Sequence, residues 1–167
     1  MKGKEVVQKE EYAEKLAAAV DAKKDKDFII VARTDARATE GLDDAIERGR
    51  YYKKIGADLI FIEAPKTLGE MKKIGREINA PLVANMIEGG ATPISSTSEL
   101  HKMGFQLILY PLSILYANAF ATMKILRELK TKGTTTRLKK NLVNFDQFND
   151  IVELSKLDRK STRLNSS

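Results

Sequence analysis

The chain contains no cysteine. That absence excludes a disulfide framework, a thiolate metal site and a cysteine nucleophile among these 167 residues. Histidine is almost as scarce. His101 alone represents it, inside a short helical stretch where a surface role is the better reading than ligand or catalyst. No apolar run approaches the roughly 20 residues of a membrane span, and the opening MKGKEVVQKEE is charged from its first residues, so a membrane protein is not expected and the cytoplasm is the default compartment. Basic runs interleaved with aromatics are also lacking. The net charge of +6 is partly terminal: RKSTRLNSS holds Arg159, Lys160 and Arg163 without an acid, leaving 26 basic and 23 acidic groups in residues 1–158. Elsewhere lysines alternate with acids, as in KEEYAEKL and KKDKD, which describes a solvated mixed surface and gives no reason to expect a nucleic-acid partner.

What is present is the material of one globular domain, 43% apolar. Four short apolar runs stand out: FIIVA (28–32), LIFIEA (59–64), PLVANM (81–86) and LILYPL (107–112). Each is near-continuous, the pattern of parallel strands covered on both faces. Helical stretches lie between them. Residues 42–55 carry Asp43 and Asp44 in the first turn, Lys53 and Lys54 in the last, and Gly56 just beyond, which matches the helix dipole and a glycine stop. Residues 67–78 predict a second helix, and Ser96-x-x-Glu99 reads as a capping box opening a third that stops at Gly104. Tyr12, Leu16 and Val20 give a preceding helix one apolar face. After the last strand, ANAFATMKILRELKTKG predicts a helix ended by Gly133, FDQFNDIVEL a further short one, and the tail from Arg159 is expected to be disordered.

The polar residues gather where these strands end. Arg33 and Asp35 follow the first run, Glu63 closes the second, Asn85 closes the third with Glu88 beyond, and Ser113 follows the fourth. In a parallel α/β architecture the C-terminal strand ends share one rim, where such folds keep their active sites. Structural alternatives stay open for each: Arg33 and Asp35 as backbone caps, Glu63 as a partner of Arg33, Asn85 as a turn residue before Gly89-Gly90. That glycine pair lacks the spacing of a phosphate-cradling loop. Tyr51, Tyr52, Phe145 and Phe148 read as packing residues.

The run ARTDARATEGLDDAIERGRYYKKIGADLIFIEA, followed by PLVANMIEGGATP and LILYPLS, resembles the second half of the isocitrate lyase and phosphoenolpyruvate mutase superfamily, in its 2-methylisocitrate lyase and phosphonomutase branch. The resemblance implies the C-terminal half of a (β/α)8 barrel, with about four βα units and C-terminal helices over residues 1–157 and a non-native or disordered tail at 158–167. It implies Mg2+ stabilising an enolate, with metal-binding aspartates and a catalytic cysteine on a KKCGH-like loop expected upstream, and neither a catalytic residue nor a metal site of this chain's own. MKGKEVV looks like sequence that follows that loop.

Residue by residue, the resemblance makes Arg33 a binder of substrate carboxylate or enolate, with Glu63 and Asn85 as further substrate contacts. A fixed guanidinium suits that role, since it holds a carboxylate at two points and balances charge developing on an enolate oxygen. Asp35, Glu88, Ser113 and Tyr116 are expected on the same rim. Tyr116 stands where the family's methylisocitrate lyases place a second arginine, which points to a smaller anionic 2-oxo or hydroxy acid. The function implied is a retro-aldol lyase that cleaves a 2-methyl- or 2-hydroxy-dicarboxylate to a 2-oxo acid such as pyruvate, working as a cytoplasmic homo-oligomer when full length. A phosphorylmutase-like enzyme and an oxaloacetate decarboxylase are the alternatives within the class, and a non-catalytic binding module is the alternative outside it. The chain alone is expected to be inactive.

Overall fold

Helix signals in the sequence translate almost residue for residue. In a computed structural model, which describes residues 3 and 5–154, the stretch with acids first and lysines last forms a helix at Leu42–Ile55. It ends because Gly56 takes φ 124°, open to glycine at little cost, and donates its N–H back to the carbonyls of Tyr52 and Lys53. The helix expected at 67–78 spans Leu68–Glu77, with the Thr67 hydroxyl accepting from the Glu70 amide. Ser96 and Glu99 complete the expected capping box.

In chain order the elements are α1 (Lys9–Ala22), β1 (Val31–Thr34), α2 (Ala36–Thr39), α3 (Leu42–Ile55), β2 (Leu59–Ile62), α4 (Leu68–Glu77), β3 (Leu82–Asn85), α5 (Thr97–Lys102), β4 (Phe105–Leu109), α6 (Ser113–Lys132), a 3-10 turn (Thr136–Asn141) and α7 (Phe145–Ile151). The chain divides into two compact units, Met1–Tyr116 and Ala117–Ser167. The second contains most of α6, the 3-10 turn with buried Leu138, and α7, whose start is fixed by a capping box of Asn144 and Gln147. The tail expected to be disordered, and the domain end expected at residue 157, lie outside the described residues.

The first unit is organised by a four-stranded, all-parallel sheet in the order β1-β2-β3-β4. Helices α1, α3, α4 and α5 pack on one face, where Leu16, Ile46, Tyr52, Met71, Ile74 and Leu100 meet Ala32, Ile60, Ile62, Leu82 and Ala84. Contact is close enough to require glycine at one point: a Cβ on Gly75 of α4 would lie 1.6 Å from the Met103 carbonyl oxygen. Between Leu82 and Val83 the β3–β4 register slips, and the Gln106 side chain accepts from the Leu82 amide (2.8 Å) there.

Several expectations need correction: the fourth run, placed at 107–112, pairs as β4 over Phe105–Leu109, and α6 begins at Ser113, four residues before the ANAF stretch expected to open it. The first strand was placed at 28–32, yet pairing starts at Val31 and runs to Thr34. Phe28 and Ile29 are exposed because the chain is still turning: the Phe28 amide bonds to the Asp25 carbonyl, and Ile30 is captured through its amide by the Asp58 carboxylate. Arg33 therefore sits within β1 instead of after it. Coverage of both sheet faces holds only in part. On the face opposite the helices the central residues Phe61 and Val83 are 8% and 2% exposed, but Val31 and Leu107, on the outer strands, remain 38% and 40% exposed.

Candidate functional site on the C-terminal rim

Alternation along β1 decides where Arg33 points. Ala32 and Thr34 are buried toward the helices, so Arg33 between them projects from the opposite face. Its guanidinium is held on three sides. Nε and Nη2 donate to the two carboxylate oxygens of Asp35 at 2.9 and 3.2 Å, Nη2 lies 3.5 Å from Glu63 Oε2, and the ring of Phe61 sits below, 5.1 Å from the guanidinium carbon. The bond to Asp35 is the main reason that the arginine's pKa is raised, with the charge of Glu63 adding to it against the opposing effect of burial. Almost half of the side chain still faces solvent. The result is a permanently charged, pre-oriented fork at a strand tip.

Asp35 occupies the N-cap position of α2, the short helix that follows β1 directly, but its side chain makes no capping bond and turns to Arg33 instead. Glu63 is aimed by an unusual backbone: the next residue, Ala64, takes φ 56° immediately before Pro65. That left-handed conformation costs a non-glycine residue roughly 1–2 kcal/mol. β2 and β3 are neighbours in the sheet, with Ile60 paired to Leu82, and Glu63 follows the end of β2 while Asn85 ends β3. Both present an unfinished requirement. Glu63 Oε2 and Asn85 Oδ1 are buried acceptors with no hydrogen-bond partner, despite the ion-pair distance between Glu63 and Arg33. Buried acceptors left unpaired cost about 1–3 kcal/mol each, so the pair is suited to a donor supplied by a ligand, such as a hydroxyl.

The remaining rim residues form a second group. Ser113, the first residue of α6, donates its hydroxyl to Glu88, and this bond is the first cause holding the Glu88 carboxyl below the usual range. Tyr116 follows one turn later, 47% exposed. The structure thus joins Arg33, Asp35 and Glu63 directly, sets Asn85 at the end of the neighbouring strand, and pairs Glu88 with Ser113. His101 is exposed on α5.

One residue of the site escaped notice in the sequence. Arg33, Thr34, Asp35 and Glu63 open onto a cavity of about 640 Å3 whose other walls include Glu5, Val6, Val7, Tyr12, Tyr52 and Arg48. Arg48 is 6% exposed although it is an arginine within α3. The signal that could have found it is the i,i+4 series Asp44, Arg48, Tyr52, which puts an acid, a guanidinium and a phenol on one helical face.

Mg2+ does not fit the described residues by themselves. The ion demands several oxygen ligands in near-octahedral array. Both Asp35 oxygens face the Arg33 guanidinium, Glu63 Oε2 lies beside it, and among the described residues no group of three acidic, histidine or cysteine side chains could hold an ion.

Four parallel βα units in sequential order, with charged and amide side chains on their C-terminal rim, form half of a (β/α)8 barrel and its functional end. The chain belongs to the phosphoenolpyruvate phosphomutase family, whose model matches residues 1–130. It is 44% identical over 157 residues to the 2,3-dimethylmalate lyase of Eubacterium barkeri, and 46% identical over 157 residues to a chloroplastic carboxyvinyl-carboxyphosphonate phosphorylmutase of Arabidopsis thaliana. These matches cover 94% and 92% of this chain but 54% and 46% of the relatives, so the chain spans about half their length. Among solved structures, a 2,3-dimethylmalate lyase described as a PEP mutase/isocitrate lyase superfamily member superposes with a TM-score of 0.80 at 29% identity, over 93% of this chain and 56% of that one. An oxaloacetate acetylhydrolase bound to 3,3-difluorooxalacetate gives 0.84 at 26%, over 97% and 56%.

Proposed function

We propose that this chain forms the carboxylate-binding half of a carbon–carbon lyase site that cleaves a 2-methyl- or 2-hydroxy-dicarboxylate to a 2-oxo acid such as pyruvate, through an enolate. The observation that carries the proposal is the Arg33 fork, held by Asp35 over Phe61 and next to two buried acceptors that lack donors. Arg33 binds a substrate carboxylate. Glu63 accepts the hydrogen bond of a substrate hydroxyl, which aligns the bond to be broken, and Asn85 is a further substrate contact on the neighbouring strand. The hydroxyl proton passes to the Glu63 carboxylate as that oxygen closes to the carbonyl of the 2-oxo acid. The electron pair of the cleaved carbon–carbon bond passes into the enolate of the departing carboxylate, a fixed cation nearby lowers the energy of that charge, and an acid upstream of the described residues returns a proton to the enolate carbon. Mg2+ belongs to this proposal through the family resemblance, with ligands outside the described residues, and would supply further stabilisation of the enolate charge when bound.

Identity to the plant phosphorylmutase supports a second reading, in which the same fork serves phosphorus–carbon bond chemistry. A substrate panel on the full-length enzyme separates the readings. Release of 2-oxo acid from a methyl-substituted hydroxy-dicarboxylate is expected. Turnover of a phosphonate alone would establish the second, and saturable binding of diacids without turnover of any would establish a non-catalytic module.

A further inference from the structure

We propose that Arg48 is a positioning residue which ties the segment 5–7 to α3 and so fixes the wall of the Arg33 cavity. The inference rests on the proposed function for its effect on substrate and on geometry alone for the tie. Arg48 is buried on α3, one turn from Asp44 and one from Tyr52. Its Nε donates to Asp44 Oδ1 at 2.6 Å, and its Nη1 donates to the Val7 carbonyl at 2.8 Å, with the Tyr52 hydroxyl 3.5 Å away. Val7 is 41 residues distant in sequence and belongs to a stretch that forms no helix or strand. That stretch nevertheless lines the same cavity as Arg33.

An irregular segment holds a definite path only where its backbone groups are captured. The Val7 carbonyl is captured by a cation whose own orientation is set by Asp44, a charge-assisted bond of the stronger kind. Val6, packed against the core, holds the same segment by burial. Lysine cannot reproduce the arrangement, because a single ammonium does not supply two donors in a fixed plane. The neighbouring ion pair of Lys9 with Glu47 also links this region to α3, but it is exposed and involves no cavity residue, which makes it a matched control.

Arg48→Lys and Lys9→Ala in the full-length enzyme test the assignment by three readings: hydrogen exchange of amides 5–8, KM and kcat for the dicarboxylate substrate, and melting temperature. Arg48→Lys is expected to speed exchange at 5–8 and raise KM roughly tenfold, with a smaller fall in kcat, since slight misplacement of a site wall costs up to about a hundredfold. Exchange within α3 should stay slow, and Lys9→Ala should match the wild type in KM. Unchanged exchange at 5–8 in Arg48→Lys would overturn the tie. Faster exchange with wild-type KM would overturn its role toward substrate. Failure of the underlying functional reading shows up separately, as wild-type turnover by Arg33→Lys, and the exchange measurement decides the tie in either case.

Discussion

The two faces of one four-stranded sheet differ in kind. Toward the helices the strands present Ala32, Ile60, Ile62, Leu82 and Ala84, all at or below 4% exposure, under helices packed so closely that Gly75 has no room for a methyl group. Away from the helices and toward the rim they present Arg33, Glu63 and Asn85, charged or amide groups with acceptors unfilled. Successive side chains on a strand point to opposite faces, so a single short segment such as Val31–Thr34 serves stability and chemistry by turns. The lesson is that the two functions are separable by substitution, one residue apart.

The largest effect should come from the helix-covered face. Gly75→Ala forces α4 away from the Met103 carbonyl, and Ile60→Ala empties a site with no exposure, each expected to cost about 2–5 kcal/mol of unfolding free energy in the full-length protein. Urea denaturation checks this, and wild-type midpoints would mean that the packing asymmetry is not real. Next comes the opposite face. Arg33→Lys should lower kcat/KM roughly a hundredfold while moving the melting temperature by no more than about 2 °C. A stability loss as large as that of Ile60→Ala would dissolve the comparison.

A smaller change is expected at Tyr116. Introducing Tyr116→Arg should raise kcat/KM for methylisocitrate relative to a dicarboxylate about tenfold, the scale of one added counter-charge. Wild-type selectivity in that variant would remove Tyr116 from the specificity question.

The smallest effect concerns Glu70, which accepts from Arg37 at 2.6 and 2.9 Å and from the Lys66 amide at 2.7 Å. The Arg37 bond is the main cause that depresses the Glu70 pKa below its ordinary 4.5. Because the folded value is the lower one, the stabilisation is complete above about pH 4.5 and is lost as pH falls through the depressed value. Glu70→Gln should therefore lower stability by about 1 kcal/mol at pH 7, and the gap from wild type should close in acid. A gap that is constant from pH 7 to pH 3 would contradict the sign.

Much of this was visible beforehand. The α3 boundaries coincide with the sequence signals because acids, lysines and Gly56 act locally, within one turn of the helix end they stabilise. The rim residues could be named for a similar reason: a polar group that ends an apolar run has little else to do. Strand boundaries were less accessible. Phe28 and Ile29 look like strand on hydrophobicity, yet pairing is decided by where the neighbouring strand begins, and Asp58 fixes that by seizing the Ile30 amide from 28 residues away. Arg48 was invisible as a site residue because its importance lies in a carbonyl 41 residues off.

By itself, then, the order of residues determined which segments would be helix or parallel strand, and that an arginine, two acids and an asparagine would fall at strand ends. Those are properties of local spacing and of the alternation of side chains. Tertiary structure alone decided that Asp35 and Glu63 converge on one guanidinium, that Glu63 and Asn85 end neighbouring strands as buried acceptors, and that Arg48 reaches Val7. Hydrogen bonds act over about 3 Å, and only the parallel registration of separate strands and helices brings atoms so distant in sequence within that range.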